Sequence, residues 1–572
     1  VTVDGNGNVY VGGYTNAGPG VGGYDYTTIK YYPNGDTAWL RGYNGQANGD
    51  DIMEAMAVDK YGNVYVTGLS RVVFSEGYYY ATIKYYPNGD TAWLRSYKGA
   101  GLADDRGYKL AVDDSGNVYV TGFSDGGSTG IDCATIKYKP NGDTAWVRRY
   151  DSPVSSNEYA TALAVDDSGN VYVAGYGGSD YLTVKYYPNG DTAWVRTYDG
   201  PVHGYDDINP TSHGLTVDDS GNVYVTGRST GSGTGLDIAT IKYTSNGATL
   251  WVNRYEGAGD DQPNDIIIGT DGYVYVTGTT WNGTSDDYIT LKYTPGGDTV
   301  WTKRYNGPGN GLDRVLAMAM DNNSNVYVTG RSYDFTSSYD YATVKYKPNG
   351  DSVWVMRYNG PGNGFDRGTS IAVDDGANVY VTGESADSGG FMHFATIKYV
   401  QAASDSLTVS ANANWNMLSV PLTVSDSSKT SIYPAAVSDA FAYEDAYVVR
   451  ATLANGVGYW MKFPSAQSTQ MTGIFRMIDN FVVAEGWNLI GSISSPVAVS
   501  TITSTPPGLV TSEFFGYDGR YEPVTTIEPG RGYWVNVSAS GTLHLSSSMI
   551  ESSSGRIRIV HTFELPPAPP AN

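Results

Sequence analysis

A segment built around Val-Tyr-Val returns eight times, with its first Val at Val9, Val64, Val118, Val171, Val223, Val274, Val326 and Val379. The spacing is 51 to 55 residues. A period of that size specifies an array of supersecondary units, because no single unit can bury its apolar face alone. Any fold for residues 1–400 must therefore repeat.

The unit Ala111–Tyr150 reads as four short strands: Leu110–Val112, Asn117–Thr121, Ala134–Tyr138 and Thr144–Tyr150. Each is rich in β-branched and aromatic residues. No stripe of apolar residues at helical spacing intervenes, which argues against parallel βαβ units. Tight turns join the first strand to the second (Asp113–Asn117) and the third to the fourth (Pro140–Asp143), with Gly or Asn supplying positive φ. These turns hold their length: Lys30, Lys84, Lys137, Lys185, Lys242, Lys292 and Lys345 each stand nine residues before a Trp. The other two connections vary and emerge at the opposite edge. One rim is constant and the other variable, and binding is expected on the variable rim.

Repeated antiparallel meanders of this size predict a β-propeller, in which each sheet buries both faces against its neighbours. The AVDxxGNVYVTG core, the ATIKYxPNGD turn and the Trp-x-x-Arg-Tyr close resemble the bacterial beta-propeller repeat family often called seven-bladed. That resemblance implies the fold and secretion, not an activity. The first three strands occur eight times and the Trp strand seven times, so eight blades are expected. Leu407, within residues 405–410, stands nine residues after Lys398 and reads as a degenerate eighth outer strand. The alternative is an outer strand from upstream of Val1 or from another molecule. The expected fold is all-β: an eight-bladed β-propeller of four-stranded antiparallel blades over 1–411, then a smaller pseudo-repeated β domain over 412–564 and a Pro-rich spacer over 565–572.

Net charge is −23, which argues against nucleic acid and anionic membranes. No apolar run approaches the roughly 18–20 residues that span a bilayer. Cys133 is the single cysteine, so no intrachain disulfide forms; it stands where other repeats carry Tyr, Ile or Phe and reads as a small buried hydrophobe. Val1 falls inside a repeat with no signal peptide before it, so a processed or truncated form is expected.

No catalytic constellation is found. Asp51, Asp105, Glu158, Asp313 and Asp366 each precede by eight residues the Asp that ends the first strand. Recurrence in most units favours a capping role over a ring of ligands. The turns at Asp4 and Asp321 look faintly like calcium loops but lack the following Gly and the distal Glu. No metal site or cofactor is assigned, structural calcium being kept as a separate hypothesis. The five His residues show no metal spacing. Ligand binding is assigned to aromatic residues of the variable rim: Trp281, Phe335, Tyr333, Tyr78 and Tyr79, whose ring faces suit sugars or a protein anchor. Tyr26, Tyr80 and Phe394, beside the third strand, are expected to pack between blades. Phe74 belongs to the same loops.

Residues 412–484 and 485–564 echo one another: Asn414-Trp-Asn416 with Gly486-Trp-Asn488, and Gly458-Tyr-Trp460 with Gly532-Tyr-Trp534. Trp415, Trp460, Trp487 and Trp534 read as core rather than as a sugar platform. The pair resembles modules near the C-terminus of secreted proteins of Bacteroidetes and Chlorobi lineages. The terminal Pro-rich spacer fits cargo of type IX secretion, and the alternating Arg556–Phe563 reads as a strand.

The function expected is a secreted, non-enzymatic surface protein. Its propeller would be a rigid scaffold for adhesion or self-assembly, binding polysaccharide, a protein partner or copies of itself. The competing expectation is a polysaccharide lyase or hydrolase at the variable rim, which would need an irregular cluster of acids, His or Tyr near the axis.

Overall fold

The computed structural model describes residues 1–16, 23–72, 76–152, 156–210, 212–335, 337–400, 404–424, 426–476 and 478–546. The chain divides into two compact units, Val1–Gln401 and Ala402–Asn572. Arg556–Phe563 and the spacer 565–572 lie outside the described residues, as does Phe74.

The first unit is a succession of antiparallel meanders, eight among the described residues. The third is typical: Arg106–Val112, Val118–Asp125, Ile131–Tyr138 and Thr144–Tyr150, hydrogen-bonded in sequence order. Its first three strands run beyond their apolar cores toward the variable rim, where backbone pairing continues after the side-chain alternation stops. Each sheet packs on the next, and the eighth meets the first: Val9 and Val11 share a core cluster with Tyr380. This is the propeller that the repeat predicted.

The recurring motif is explained by one turn. Asp113 Oδ1 accepts the backbone N–H of Ser115 (3.0 Å) and Asn117 (2.8 Å), while Oδ2 accepts Asn117 Nδ2 (2.8 Å) and the Tyr119 hydroxyl (2.9 Å). The Asp, Asn and Tyr of the repeat are thus one hydrogen-bonded clamp, which closes the hairpin and ties it to the second strand. The tyrosine-to-aspartate bond recurs from Asp4, Asp59, Asp166, Asp218, Asp321 and Asp374. At Asp4 and Asp321, too, both carboxylate oxygens accept protein donors in this way.

Between sheets the indole does the joining. Trp146 is buried between Tyr119 of its own sheet (ring centroids 6.4 Å) and Tyr186 of the next (6.1 Å). Its Nε1 donates to the Pro188 carbonyl of the next sheet (3.2 Å). Arg148 Nε donates to the Gly190 carbonyl beside it (2.5 Å). The third-strand tyrosines expected to pack between sheets do so: Tyr26 and Tyr80 are fully buried and donate to Ala81 and Ala134 of the following sheets. Phe394 lies against Gly13 of the first sheet, where an added Cβ would come within 2.6 Å of its ring. Cys133 is buried in the core, as expected.

One expectation is overturned. Ser404–Ala411 is not the outer strand of the eighth sheet. It pairs antiparallel with Gln467–Phe475 in the second unit, Leu407 opposite Met471. The eighth sheet has three described strands, Asp366–Val373, Val379–Ala386 and Met392–Tyr399. Its nine-residue spacing from Lys398 misleads because 404–411 lacks the Trp and Arg that the next sheet's turn engages. The boundary between units falls at 401/402 rather than at 411.

The second unit holds two matching halves. Asn414–Ser419, Gly458–Phe463, Ala440–Tyr443 and Tyr447–Arg450 form one sheet in that order. Gly486–Ile490, Tyr533–Val537, Phe514–Tyr517 and Tyr521–Val524 form its counterpart. Ser404–Ala411 corresponds to Ile478–Val483, which pairs with Gly541–Ser546. The halves therefore begin one strand before 412 and 485, because each opening strand pairs with the close of its own half. Trp460 and Trp534 are fully buried; Trp415 and Trp487 meet them edge-on, both at 6.3 Å. Tyr517 reaches across to Trp460 (4.7 Å) and Tyr443 to Trp534 (4.8 Å). The tryptophans are the core that joins the halves.

Trp146→Ala should destabilise the chain by about 3–5 kcal/mol, the range for truncating a large buried aromatic, read as a lower denaturant midpoint. Tyr119→Phe should cost less, about 1.5–3 kcal/mol, the scale of one hydrogen bond to a charged carboxylate.

Candidate functional site

Four of the five recurring acids are caps; Glu158 instead accepts the Ser156 hydroxyl (2.6 Å). Asp51 Oδ2 accepts Gly45 N–H (2.6 Å) and Oδ1 accepts Arg71 N–H (3.1 Å). Asp105, Asp313 and Asp366 repeat both bonds. Burial raises the carboxyl pKa values of Asp51, Asp105 and Asp313, and these N–H donors oppose the shift. Each cap ties the incoming crossover to the end of the second strand, so the rim above the caps stays rigid while its loops vary.

The residue after each cap, with its partner on the second strand, forms a belt around the variable rim. In the third and fourth sheets the belt is mainly aromatic, with Arg106 opposite Phe123: Phe123 meets Tyr108 (5.6 Å) and Tyr159 (5.3 Å), and Tyr159 stacks on Tyr176 (5.0 Å). In the seventh and eighth it is cationic: Arg314 pairs in register with Arg331, and Arg367 with Glu384. Arg314 binds Asp286 of the sixth sheet (3.0 Å), and Arg367 holds Glu384 through two bonds of 3.0 Å. The Arg331 guanidinium lies over Tyr339 (5.0 Å) and Phe365 (5.6 Å), in cation–π geometry. Its pKa is lowered by burial and then by the charges of Arg314 and Arg367.

The expected rim aromatics fall into two groups. Trp281 ends a second strand and walls an open hollow of about 400 Å³, shared with Gly259, Asp260, Gln262, Thr279, Asp286 and Arg314. An added Cβ on Gly259 would meet the Trp281 ring at 2.8 Å, so glycine there admits the indole. Tyr333 touches Phe335 (5.8 Å) and Tyr339 (5.5 Å), and Tyr339 touches Phe365 (5.6 Å). Phe335 is 76% exposed. Because Arg314 lines the Trp281 hollow and pairs with Arg331, these features form one stripe over sheets six to eight. Tyr78 and Tyr79 lie apart in the second sheet. Arg71 covers Tyr78 (5.1 Å), and Tyr79 donates to Glu76, which also takes Lys98.

A second group lies on the inner strands and was not legible in sequence. The fifth sheet's inner strand is split into Asp206–Asp207 and Leu215–Val217 by an excursion that carries His213. His213 N–H donates to Asn264 O (2.8 Å), and its Nδ1 lies 3.9 Å from Asp265 Oδ2. Asp265 accepts Met318 N–H (3.0 Å) and Ile266 N–H (2.9 Å). Burial pushes its carboxyl up to about 7, against these donors and the charge of Lys109. Lys109, on the third sheet's inner strand, is pushed down to about 8 by burial. His213 is pushed down to about 3, first by Lys109 and then by burial. Lys109 of the third sheet thus acts electrostatically on His213 of the fifth and Asp265 of the sixth. The His213 side chain is 61% accessible. The twelve-residue interval from Asp206 to Asp218, against eight in the other repeats that carry the acid, was the one available sign.

Two carboxylate clusters have geometry for a cation, Asp132 with Asp151 and Glu158, and Asp180 with Asp199 and Asp206. One oxygen of each of three members is engaged, Asp132 by Arg149 (2.7 Å), Glu158 by the Ser156 hydroxyl and Asp206 by Gly200 N–H, while Asp132 Oδ1, Glu158 Oε2 and Asp206 Oδ1 are buried without a hydrogen-bond partner.

Fold and rim together define a repeat β-propeller. Residues 1–20, 96–128 and 206–233 match the family model described as SBBP, beta-propeller repeat, which supports the propeller-repeat reading. A protein from Lactobacillus plantarum is similar in structure at 13% identity, covering 61% of this chain and 95% of its own, with TM-score 0.39. Sqt1 from Chaetomium thermophilum is similar at 11% identity, covering 66% and 92%, with TM-score 0.42. No curated protein matches the chain.

The Asp265 shift has a testable sign. Folded protein keeps this proton to about pH 7, whereas an unfolded chain releases it near the ordinary carboxylate value of ~4. Its stabilisation is full below that value and is lost as pH rises through the folded pKa. Asp265→Asn should therefore gain in melting temperature relative to wild type between pH 4 and 7.5. A difference independent of pH would contradict the assignment.

Proposed function

We propose that the chain is an extracellular, non-enzymatic binding scaffold whose eight sheets close into a rigid ring and whose variable rim takes an acidic polysaccharide. The observation that carries this reading is the continuous stripe from Trp281 through Arg314 and Arg331 to Tyr339 and Phe365. An indole at the side of an open hollow suits the apolar face of a sugar ring. Asp260, Gln262 and Thr279 offer hydrogen bonds to hydroxyls. Arg331 lies on aromatic rings and has no carboxylate among its described ion pairs, so it suits a carboxylate on the ligand. A cationic stripe on a chain of net charge −23 is selective by contrast. The extracellular setting is supported by the resemblance of the repeats to those of secreted bacterial proteins.

A polysaccharide lyase or hydrolase is the second reading, favoured by Lys109, His213 and Asp265. They are the irregular titratable cluster near the axis that such an enzyme needs, two of them with pKa values near neutrality.

Titration calorimetry with polyuronate and neutral oligosaccharides separates these readings. Scaffold binding should favour the polyuronate and weaken at least about tenfold in Arg331→Ala or Trp281→Ala, with no reducing ends or unsaturated products released. Turnover abolished by Asp265→Asn would replace the scaffold reading with the enzymatic one.

A further inference from the structure

Two junctions between sheets bring three carboxylates together. Asp132, Asp151 and Glu158 join the third sheet to the fourth; Asp180, Asp199 and Asp206 join the fourth to the fifth. Both sets fill the same places of the repeat: six residues before the Tyr that closes the third strand, the residue after the outer strand, and the acid seven residues later. In each set one oxygen per residue lies within 4.8 Å of the others.

Other sheets show how this charge is met when the chain meets it. The third-strand acids Asp132, Asp237 and Asp340 each hold an outer-strand Arg at 2.7–2.9 Å. In the fourth sheet Thr197 takes the place of that Arg, and Asp180 has no Arg or Lys partner among the described residues. In the second sheet Tyr79 stands where the third-strand acid would be, and the residue after the outer strand is Lys98, whose ammonium lies over the Tyr79 ring (5.1 Å). There the chain supplies its own cation.

A second observation concerns the backbone. At Asp51, Asp105, Asp313 and Asp366 an N–H at the end of the second strand caps Oδ1. At the two acidic junctions that N–H is turned elsewhere: Gly178 donates to Asn157 O (3.3 Å) and Thr230 to Tyr205 O (3.1 Å). Glu158 Oε2 and Asp206 Oδ1 are left without a partner in wholly buried residues, and Asp132 Oδ1 is likewise buried and bare. A buried carboxylate oxygen with no donor is costly until a cation meets it.

We propose that each of these junctions binds one calcium ion, held by Asp132, Asp151 and Glu158 at the first and by Asp180, Asp199 and Asp206 at the second. Three carboxylates without Cys or His are a hard oxygen set. Calcium accepts several carboxylates at ~2.3–2.6 Å, whereas magnesium keeps most of its water and takes one or two. Asp151 and Asp199 are exposed, so water can fill the remaining places. At the second junction His203 Nδ1 also engages Asp199 Oδ2 (2.5 Å). Each ion replaces the missing cap bond and ties one sheet to the next. These ions serve the frame, whatever the rim binds.

The test uses the full 572-residue chain, stripped with chelator and titrated with calcium chloride in a calorimeter. Two bound equivalents and a raised melting temperature are expected, with no competition from magnesium at equal concentration. Asp199→Lys supplies the cation that Lys98 supplies in the second sheet. One equivalent should then remain, and the melting temperature without calcium should rise. Asp151→Lys added to it should leave none. Asp199→Asn should weaken its site at least about tenfold, since calcium affinity follows ligand charge, and this exposed position lies outside the cores, so the fold should hold. Absence of binding at millimolar calcium, unchanged stoichiometry in Asp199→Lys, or equal binding of magnesium would overturn the proposal.

Discussion

The propeller depends on an indole held between two sheets. Each outer-strand Trp rests on a tyrosine of its own sheet and one of the next. From Trp39 to Trp301 each also donates Nε1 to a turn carbonyl of the following sheet at 3.0–3.2 Å. The contact is apolar and directional at once. Ring burial supplies the driving force, and the N–H to carbonyl bond sets the register between sheets. The constant rim has its length because this bond must be made at every step. An insertion between the Lys and the Trp would move the indole off its carbonyl.

With one rim committed to joining sheets, variation is confined to the other. The capping acids make that possible. At Asp51, Asp105, Asp313 and Asp366 the carboxylate holds a crossover to the end of a second strand through two backbone N–H groups, so loop length can change above it without disturbing the ladder below. The belt of aromatic and charged residues lies just above the caps. It differs from sheet to sheet because these positions take no part in the Trp clamp. The change from the Phe123–Tyr159–Tyr176 arc to the Arg314–Arg331–Arg367 arc gives the ring sides of distinct chemistry. A strictly symmetric repeat could not have them.

Much of this was legible in the chain. The Asp, Asn and Tyr of the motif, the Gly turns and the Lys-to-Trp interval are local interactions repeated many times, and repetition makes a weak local preference readable. The burial of Cys133, the capping role of Asp51 and its counterparts, and the core role of Trp460 and Trp534 follow from the same logic. Trp281, Tyr333 and Phe335 could be placed on the rim by their position between strands. That Tyr333 and Phe335 join Tyr339 and Phe365, while Tyr78 and Tyr79 are taken up by Arg71, Glu76 and Lys98, could not. Neither could Arg314 and Arg331, which look like ordinary strand residues until their register makes them neighbours.

The sequence by itself determined the repeating unit, its four strands and its two kinds of turn, since each rests on contacts within about fifty residues, and it showed the two halves of the second unit because their Trp motifs recur. Only the tertiary structure decided which strand ends the eighth sheet, because Ser404–Ala411 has strand character and either unit could have claimed it. Its eight paired positions with Gln467–Phe475 settle the matter through residues more than fifty positions away. Ring closure likewise brought Lys109 and Asp265 into one electrostatic environment. Charges on separate sheets interact through space, and nothing in the linear order of the chain encodes that proximity.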